Sequence, residues 1–403
     1  MSHPPTVALL FTTFPKTSET FLQRDVAALQ SQGLSLRLYS LWGGGGEFRG
    51  LPVRTFNKWR LLPLFLFIIP WNCLRRPRIV SDLFAGVLRR RPPAWLNFWE
   101  NMLGAGFAGC FYGEFRRNPP ALVHGAWAGA PATAGWLLWR ILGLPYSTGA
   151  HAYDLYEHGG DWWLMEKVQL ARFVQTSTDM GRRRLLERGA PPEKIHVIRR
   201  GLETFPGFKP LRPSRHPLRL ICVARLVPKK GFDHQLAIYA ALRDAGFAFE
   251  ARILGDGPLR QHLEEELARR RLADCVQLLG YVPQAEVWRQ LVWADVLLHT
   301  GVIAPSGDRD GLPNVIPEAM AAGVLVVTSP VSATTEAVHQ ERTGLVADVD
   351  LPVAWQVALQ RLATDDELAE RLRLEARRWV EENYDAHRNT AALATCFREA
   401  MRP

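Results

Sequence analysis

Residues 308–323 read DRDGLPNVIPEAMAAG, and the apolar run VLVV follows at 324–327. This order predicts a polar loop that turns at Gly311, a helix that begins near Pro313 or Asn314, and then a buried strand. The main-chain N–H groups at such a helix start, together with the helix dipole, favour a bound anion. The segment therefore predicts an anion-binding helix start between two strands of an α/β sheet.

Two carboxylates, Asp310 and Glu318, flank this helix start. A bare phosphate would be repelled by them, whereas neutral hydroxyl groups could donate hydrogen bonds to them. A sugar joined to a phosphate satisfies both demands. The alternative from these residues alone is a surface loop with one helix-capping Asp and one exposed helix Glu.

A second polar loop follows an apolar strand at 218–224 and reads RLVPKKG at 225–231. Arg225 offers a planar fork of donors and Lys230 a point charge, a combination suited to clamping a diphosphate. Two solvated surface cations are the alternative. Because two cations can neutralise a leaving diphosphate by themselves, we expect the clamp to work without a metal ion, and we expect no cofactor beyond the substrate.

These two segments resemble signatures of the retaining glycosyltransferases with the GT-B fold, the group called glycosyltransferase family 4. Residues 310–318 resemble the Glu-x7-Glu signature, with Asp310 in the place of the usual first Glu, and residues 225–231 resemble the Arg-x4-Lys-Gly element. The resemblance implies that Asp310 lies by the donor sugar and that Glu318 binds the ribose. It also implies that Arg225 and Lys230 hold the donor diphosphate.

The resemblance extends to other positions. It implies that His151, which follows a predicted strand, lies near the reacting sugar, although His124 occupies a similar strand-end position and competes for that role. It further implies donor contacts from a glycine turn, a base-binding segment and the helix start, namely Gly255, Tyr281, Val282, Leu312, Pro313 and Asn314.

The alternation of apolar runs with helical segments predicts an α/β protein, and the resemblance implies two Rossmann-like domains with parallel sheets facing a central cleft. The Pro- and Gly-rich segment 201–217 marks a linker. We expect an acceptor-binding domain at 1–205, a nucleotide-sugar-binding domain at 206–383, and a helix at 384–403 that crosses back. Ser18 is the expected N-cap of a first helix at 19–32.

Composition limits the class of protein. The chain has 403 residues, a formal net charge of +9, and five scattered cysteines without metal-ligand spacing. An odd cysteine number and the lack of a secretory signal at the start predict a reduced, cytoplasmic protein. Residues 1–200 carry 25 Lys and Arg against 13 Asp and Glu, so the first half is strongly basic.

The apolar run LLPLFLFIIPW at 61–71 is too short to cross a bilayer, which needs about 20 residues. Arginines flank it on both sides, from Arg54 to Arg91, and tryptophans stand at 59, 71 and 95. This pattern favours peripheral binding of the protein to the surface of an anionic membrane. A buried helix with a solvated arginine edge is the alternative.

The sequence thus predicts a retaining hexosyltransferase that uses a UDP- or GDP-sugar and a lipid-linked or polysaccharide acceptor. Three alternatives stay open: a nucleotide-sugar-binding protein without transferase activity, a GT-B nucleotide-sugar epimerase, and a basic nucleic-acid-binding protein. We expect no nucleic-acid partner, because the arginines cluster beside an aliphatic run and not on an aromatic sheet face.

Overall fold

The structure is a computed structural model of the chain. It describes residues 5–16, 19–56, 59, 61–63, 66–67, 69–75, 92–212 and 216–402. The expected cap Ser18 and the arginine-rich segment 76–91 lie outside these residues.

The chain forms two compact units. Unit 1 comprises Met1–Gly201 and Ala386–Pro403, and unit 2 comprises Leu202–Asp385. Leu202 belongs to unit 2 because its N–H donates to the carbonyl of Tyr384 and its side chain is buried in that unit's core. The division therefore comes four residues before the expected boundary at 205.

Unit 1 contains an eight-stranded sheet in the order β3-β4-β2-β1-β5-β6-β7-β8. All neighbours pair in parallel except β3 with β4. The apolar strands are buried because helices cover a parallel sheet on both faces. The strands are β1 Thr6–Phe11, β2 Ser35–Ser40, β3 Gly46–Phe48, β4 Leu51–Thr55, β5 Leu122–Gly125, β6 Tyr146–Gly149, β7 Val174–Thr176 and β8 Ile195–Val197.

Seven helices of the first 201 residues and one from the C-terminus cover this sheet within the described ranges. A helical turn, Leu61–Pro63, precedes α2, and two 3₁₀ turns lie at Glu157–Gly159 and Pro192–Lys194. The helices are α1 Thr20–Ser31, α2 Ile69–Arg75, α3 Trp95–Arg117, α4 Ala130–Leu142, α5 Ala152–Tyr156, α6 Leu164–Leu170, α7 Asp179–Glu187 and the C-terminal Ala386–Ala400.

Unit 2 contains a six-stranded sheet in the order β11-β10-β9-β12-β13-β14, in which every neighbouring pair is parallel. The strand order changes direction between β9 and β12, which is where open α/β sheets bind ligands. The strands are β9 Leu218–Val223, β10 Phe249–Leu254, β11 Val276–Gly280, β12 Val296–His299, β13 Leu325–Thr328 and β14 Leu345–Val346.

Six helices pack around the second sheet in the described part of unit 2. They are α8 Phe232–Asp244, α9 Arg260–Arg269, α10 Gln284–Trp293, α11 Val315–Ala322, α12 Pro352–Thr364 and α13 Asp366–Asn383. Two 3₁₀ turns of unit 2 lie at Pro228–Lys230 and Ser332–Glu336. The C-terminal helix of unit 1, Ala386–Ala400, is numbered α14. The fully buried Trp355 of α12 lies in the core between helices and sheet.

The strands of unit 2 lie where the apolar runs predict them, and both sheets are parallel as expected. Two elements of unit 1 were not predicted. The hairpin of β3 and β4 begins at the last of four consecutive glycines, residues 43–46, and α3 is a 23-residue helix. The expected C-terminal helix is α14, whose buried Leu393 and Phe397 join the core of unit 1.

Among the described residues, no helix combines the length and apolar character needed to cross a bilayer.

One buried cation fastens the segment before β9 to unit 2. Arg373 of α13 is almost fully buried. Its Nε donates to the carbonyl of Gly323 over 2.8 Å, and its Nη2 donates to the carbonyl of Lys209. The guanidinium also lies 4.6 Å from the ring centre of Phe208. These contacts tie residues 208–209 to the end of α11.

Replacing Arg373 by Met should destabilise the protein by about 3 kcal/mol, because two carbonyl groups lose their donor in a buried setting. The urea midpoint of the full chain measures this loss. Arg378→Met, on the exposed side of the same helix, is the matched control and should change the midpoint little. Equal midpoints for both variants would contradict this account of Arg373.

Candidate functional site

The loop after β9 is held against the end of β12 by a glycine. Gly231 has φ of +66°, and a Cβ placed on it would lie 2.0 Å from the carbonyl oxygen of Thr300. The hydroxyl of Thr300 donates to the carbonyl of Lys230 over 3.1 Å. Only glycine permits this approach, so Gly231 brings the cationic loop to the strand-order reversal of unit 2.

Lys230 and Asp310 meet at this edge. The Nζ of Lys230 lies 2.6 Å from Oδ2 of Asp310, and both side chains are mostly buried. The Nε2 of His299, the last residue of β12, lies 3.4 Å from the same oxygen. Two residues predicted from separate motifs are therefore in direct contact, and a histidine joins them.

A second ion pair lies beside the first. The Nζ of Lys229 is 2.9 Å from a carboxylate oxygen of Asp308 and 3.7 Å from one of Asp310. The two lysines and two aspartates form a compact network with no net charge. The cations are thereby fixed in position before any ligand arrives, which lowers the ordering cost of binding.

The network holds Asp310 ionised. Burial by itself raises the pKa of its carboxyl, but the Lys230 ammonium, the His299 hydrogen bond and the Lys229 charge together place the pKa well below its usual range. Burial lowers the pKa of His299. At neutral pH the site therefore contains a charged Asp310 and an uncharged His299.

Arg225 differs from the lysines. Its side chain is exposed, and it makes no hydrogen bond or ion pair with the residues that the structure describes. A guanidinium in this state can bind an anion without first losing a protein partner.

The loop after β10 is fitted against the loop after β9. Gly255 has φ of +138°, and a Cβ there would lie 1.8 Å from the carbonyl oxygen of Ala224. The N–H of Leu226 donates to the carbonyl of Asp256 over 3.0 Å. The predicted contact residue Gly255 therefore positions the Arg225 loop through its main chain.

The start of α11 carries the remaining predicted residues. Glu318 is buried and accepts a hydrogen bond of 3.3 Å from the amide of Gln284. Asn314 is the N-cap position, yet its Oδ1 accepts from the hydroxyl of Tyr384 over 2.8 Å and makes no cap. Pro313 is buried beside Leu312, which packs on the core. Asn314 therefore anchors the helix start to the chain near 384.

Tyr281 and Val282 follow β11 at the same carboxyl edge of the sheet. Tyr281 is exposed, and Val282 packs on the core of unit 2. The main chain of Gly280 accepts a hydrogen bond from the N–H of Gly255 over 2.8 Å. The predicted residues of unit 2 thus lie in the loops after β9, β10, β11 and β12, except Glu318, which lies in the first turn of α11.

The two histidines of unit 1 differ in their surroundings. His124 is packed against the rings of Phe173 and Phe397, its Nδ1 is 2.9 Å from the hydroxyl oxygen of Ser147, and burial lowers its pKa to about 3. This histidine belongs to the core. His151 instead precedes α5, where its N–H donates to Asp154 over 3.1 Å.

Burial, with the charges of Arg200 and His124, lowers the pKa of His151 well below its usual value. The ring of Trp127 packs edge-on at 5.2 Å from it. His151 is therefore an uncharged side chain at the carboxyl edge of the first sheet, and its position agrees better with ligand contact than that of His124.

Three residues of the network were not predicted: Lys229, His299 and Asp308. The sequence offered a signal for each, since Lys229 precedes the predicted Lys230, Asp308 is two residues before Asp310, and His299 ends a strand that runs into this loop. Among the described residues, no group of three or more His, Cys, Asp or Glu is arranged to hold a metal ion.

Two family patterns match the chain. The pattern of the glycosyl transferases group 1 matches residues 217–365, and that of glycosyltransferase family 4 matches residues 19–204.

Two curated relatives match over most of their length. The amylovoran biosynthesis glycosyltransferase AmsK of Erwinia amylovora is 36% identical over 93% of this chain and 94% of its own. The putative colanic acid biosynthesis glycosyltransferase WcaL of Escherichia coli K12 is 28% identical over 88% of this chain and 90% of its own.

Solved structures share the fold. Anabaena Alr3699/HepE, crystallised with UDP and glucose, superposes with a TM-score of 0.71 at 16% identity over 98% of this chain and all of that one. A sucrose-phosphate synthase from Thermosynechococcus elongatus gives 0.72 at 15% identity, with 98% of each chain covered. The chain therefore belongs to the group 1, family 4 glycosyltransferases, and it has the GT-B fold that its motifs predict.

Proposed function

We propose that this glycosyltransferase moves a hexose from a UDP- or GDP-sugar to an acceptor hydroxyl, with retention of configuration, in the synthesis of a cell-surface polysaccharide or glycolipid. The observation that carries the proposal is the contact of Lys230 with Asp310 at the strand-order reversal of unit 2. The names of AmsK and WcaL, and the UDP and glucose bound to Alr3699/HepE, support the pathway and the donor class.

The leaving diphosphate needs positive charge placed before the reaction. Arg225 provides an exposed guanidinium and Lys230 a fixed ammonium. The start of α11 adds the N–H groups of Asn314 and Val315, since the next N–H, that of Ile316, donates to the carbonyl of Pro313. Such preorganised charge is commonly the largest contribution to lowering a barrier of this kind. No metal ion is required in this scheme.

Lys230 serves two partners in this proposal. Without a nucleotide sugar, Lys230 pairs with Asp310. With a nucleotide sugar bound, its three N–H groups are shared between Asp310 and the diphosphate. Asp310 then fixes the ammonium and faces the sugar, while buried Glu318 binds the ribose hydroxyls. In unit 1, the uncharged His151 is proposed to offer a hydrogen bond to a sugar at the carboxyl edge of the first sheet.

In the proposed reaction, the acceptor hydroxyl attacks the sugar from the same face that the diphosphate leaves, so the configuration of the sugar is retained. One oxygen of the leaving phosphate removes the proton of that hydroxyl. This scheme assigns no covalent intermediate to the protein. Asp310 remains ionised and acts by position and charge.

Two rival functions predict different products from the same donor. A binding protein would bind the nucleotide sugar without releasing nucleotide when an acceptor is added. An epimerase would convert the donor with no acceptor present. Release of nucleotide that depends on an acceptor favours the transferase over both.

The donor site can be tested by thermal unfolding with UDP-glucose, GDP-mannose and the free nucleotides. A ligand at about 100 times its Kd stabilises the folded state by about 2.7 kcal/mol and raises the Tm accordingly. Lys230→Ala and Glu318→Ala should each weaken the affinity for the nucleotide sugar at least about tenfold, roughly 1.4 kcal/mol, because each removes a side chain proposed to contact the nucleotide sugar directly.

Glu250→Ala is the matched control for this experiment. Glu250 is exposed in β10, near the amino end of the strand and away from the site loops. This variant should keep the full shift. If no nucleotide or nucleotide sugar shifts the wild-type Tm, the proposed donor class is wrong.

The membrane proposal rests on exposed apolar side chains in unit 1. Trp59 is 77% exposed, Trp95 is 75% exposed and Trp99 is 61% exposed. Arg75 stacks over the ring of exposed Trp71 at 4.7 Å. The exposed large apolar side chains within residues 59–99, here together called the tryptophan surface, are those of Trp59, Leu62, Leu66, Phe67, Trp71, Leu74, Trp95, Leu96 and Trp99.

A soluble surface seldom exposes so many large apolar residues without a partner. Tryptophans beside arginines suit the interface of an anionic bilayer, where the ring is half buried and the cation meets phosphate. We therefore assign this surface to peripheral contact with the inner face of the cytoplasmic membrane, where a lipid-linked acceptor would be presented.

Co-sedimentation with vesicles of phosphatidylcholine and phosphatidylglycerol tests this assignment. Trp95→Ala/Trp99→Ala should reduce the bound fraction about tenfold, and added salt should reduce it further, because anionic headgroups attract the basic half of the chain. Val353→Ala/Val357→Ala, which removes exposed apolar groups from unit 2, is the control. Equal binding by both double variants would contradict the assignment.

A further inference from the structure

The helix α13 contacts α11 at both of its ends. At the end of α11, Nε of Arg373 donates to the carbonyl of Gly323 over 2.8 Å. At the start of α11, the hydroxyl of Tyr384, the residue that follows α13, donates to Oδ1 of Asn314 over 2.8 Å. The two helices therefore run in opposite directions, and Tyr384 holds the end of α11 that carries the proposed nucleotide-sugar site.

The ring of Tyr384 is fixed independently of Asn314. It is 2% exposed and lies in the core of unit 2. The N–H of Tyr384 donates to the carbonyl of Val380 over 2.8 Å, and its carbonyl accepts from the N–H of Leu202 over 2.8 Å. Since the ring and both main-chain groups are held, the hydroxyl oxygen has a fixed position beside Asn314.

The sequence leaves Asn314 no N–H group to cap, although it occupies the N-cap position of α11. An N-cap side chain accepts from the N–H of the second or third helical residue. The second is Ile316, whose N–H donates to the carbonyl of Pro313 over 3.0 Å, and the third is Pro317, which has no N–H. The Asn314 amide therefore has a role other than capping.

The bond from Tyr384 sets the direction of this amide. A side-chain amide has an acceptor at one end and two N–H groups at the other, so Oδ1 directed at Tyr384 turns Nδ2 away from it. Asn314 is partly exposed, and its Nδ2 has no hydrogen-bond partner among the described residues. Two N–H groups are therefore available at the start of α11.

These N–H groups belong to the segment that carries the proposed nucleotide-sugar site. Asp310, which contacts Lys230, precedes Asn314 in the same loop, and Glu318 follows it in the first turn of α11. A helix start favours an anion because of its main-chain N–H groups and the helix dipole. An amide N–H2 group adds hydrogen bonds to such an anion without adding charge.

The reverse orientation of the amide would oppose the same ligand. The amide oxygen carries a partial negative charge, and a diphosphate has only acceptor oxygens to offer when it is fully ionised. An Asn314 side chain without a partner would populate both orientations. A hydroxyl that donates to Oδ1 favours the orientation in which Nδ2 meets the diphosphate.

We propose that Asn314 binds the diphosphate of the nucleotide sugar through its side-chain N–H2 group, and that Tyr384 is the positioning residue that orients this group. The inference rests on the proposed function and specifies how its nucleotide-sugar site recognises the diphosphate. Tyr384 does not touch the ligand in this scheme, because it acts through Asn314.

The test measures the affinity of the full chain for UDP and GDP by isothermal titration calorimetry. Tyr384→Phe keeps the buried ring and removes only the hydroxyl. For the nucleotide that the wild type favours, we expect this variant to bind about fivefold more weakly, the usual effect of one lost hydrogen bond.

Tyr146→Phe is the matched control. It removes another buried tyrosine hydroxyl, one that donates to the carbonyl of Lys167 in unit 1. The two variants each lose one hydrogen bond of the folded state, but only Tyr384→Phe changes the start of α11. Tyr146→Phe should therefore bind UDP and GDP as wild type does.

A double-mutant cycle shows whether Tyr384 acts through Asn314. Asn314→Ala alone should weaken nucleotide binding about tenfold, since it removes a hydrogen bond to a charged group. In the Asn314→Ala background, Tyr384→Phe should have no further effect on affinity. Losses that multiply in the double variant would contradict a positioning role.

Asn314→Asp separates ligand recognition from the stability of the helix. The carboxylate still accepts from Tyr384, and a negative charge at a helix start stabilises the helix, so the Tm without ligand should equal or exceed that of wild type. The same carboxylate lacks N–H groups and repels the diphosphate, so nucleotide affinity should fall more than about tenfold. A merely structural role would make affinity follow the Tm. If Tyr384→Phe does not fold, Asn314→Asp decides the matter.

Either of two results would overturn the inference: Tyr384→Phe binds its nucleotide as tightly as wild type, or Asn314→Asp does so. With normal nucleotide binding by the wild type, these results leave the proposed function intact and remove only the roles of Asn314 and Tyr384. If neither UDP nor GDP binds the wild type, the inference fails together with the proposed donor class.

Discussion

The contact between Lys230 and Asp310 is the interaction on which the proposed donor site depends. It joins the loop after β9 to the loop after β12 across the strand-order reversal of unit 2. Because Gly231 lets the first loop approach Thr300 so closely, the ammonium is fixed by the main chain as well as by its partner. A cation held in this way can stabilise a leaving group without reorganising when charge develops.

Asp310 is one methylene shorter than the Glu expected at its position, and the structure gives that difference a physical meaning. The carboxylate is occupied by Lys230 and lies near His299, so it acts on the cation at least as directly as on a sugar. Its low pKa follows from the same contacts. The charge of the site is therefore balanced before the donor binds.

The sequence predicted unit 2 well because its signals are local. Arg225 and Lys230 stand within one short loop, and Asp310 and Glu318 within one loop and helix. His299 was missed because a lone histidine at a strand end has no periodic or spacing signal, and its role depends on a loop eleven residues later.

Unit 1 was harder to predict for the same reason. The buried lysine Lys167 meets Asn101, Thr133 and Asp161, which come from separate segments and are brought together only through the packing of α3, α4 and α6. The difference between the two histidines also needed the structure, because the sequence puts both near strand ends, whereas the structure places His124 inside β5 between the rings of Phe173 and Phe397. The hairpin of β3 and β4 was missed because β3 has only three residues and begins at Gly46, and glycine weakens the pattern by which a strand is recognised.

The most direct test of the central claim is the affinity of Asp310→Asn for free UDP and GDP, measured by isothermal titration calorimetry. If Asp310 and the diphosphate compete for Lys230, removing the carboxylate charge should tighten binding of the favoured nucleotide by about tenfold, roughly 1.4 kcal/mol, while transfer is lost. Unchanged or weaker nucleotide binding in Asp310→Asn would contradict the claim that the two share Lys230.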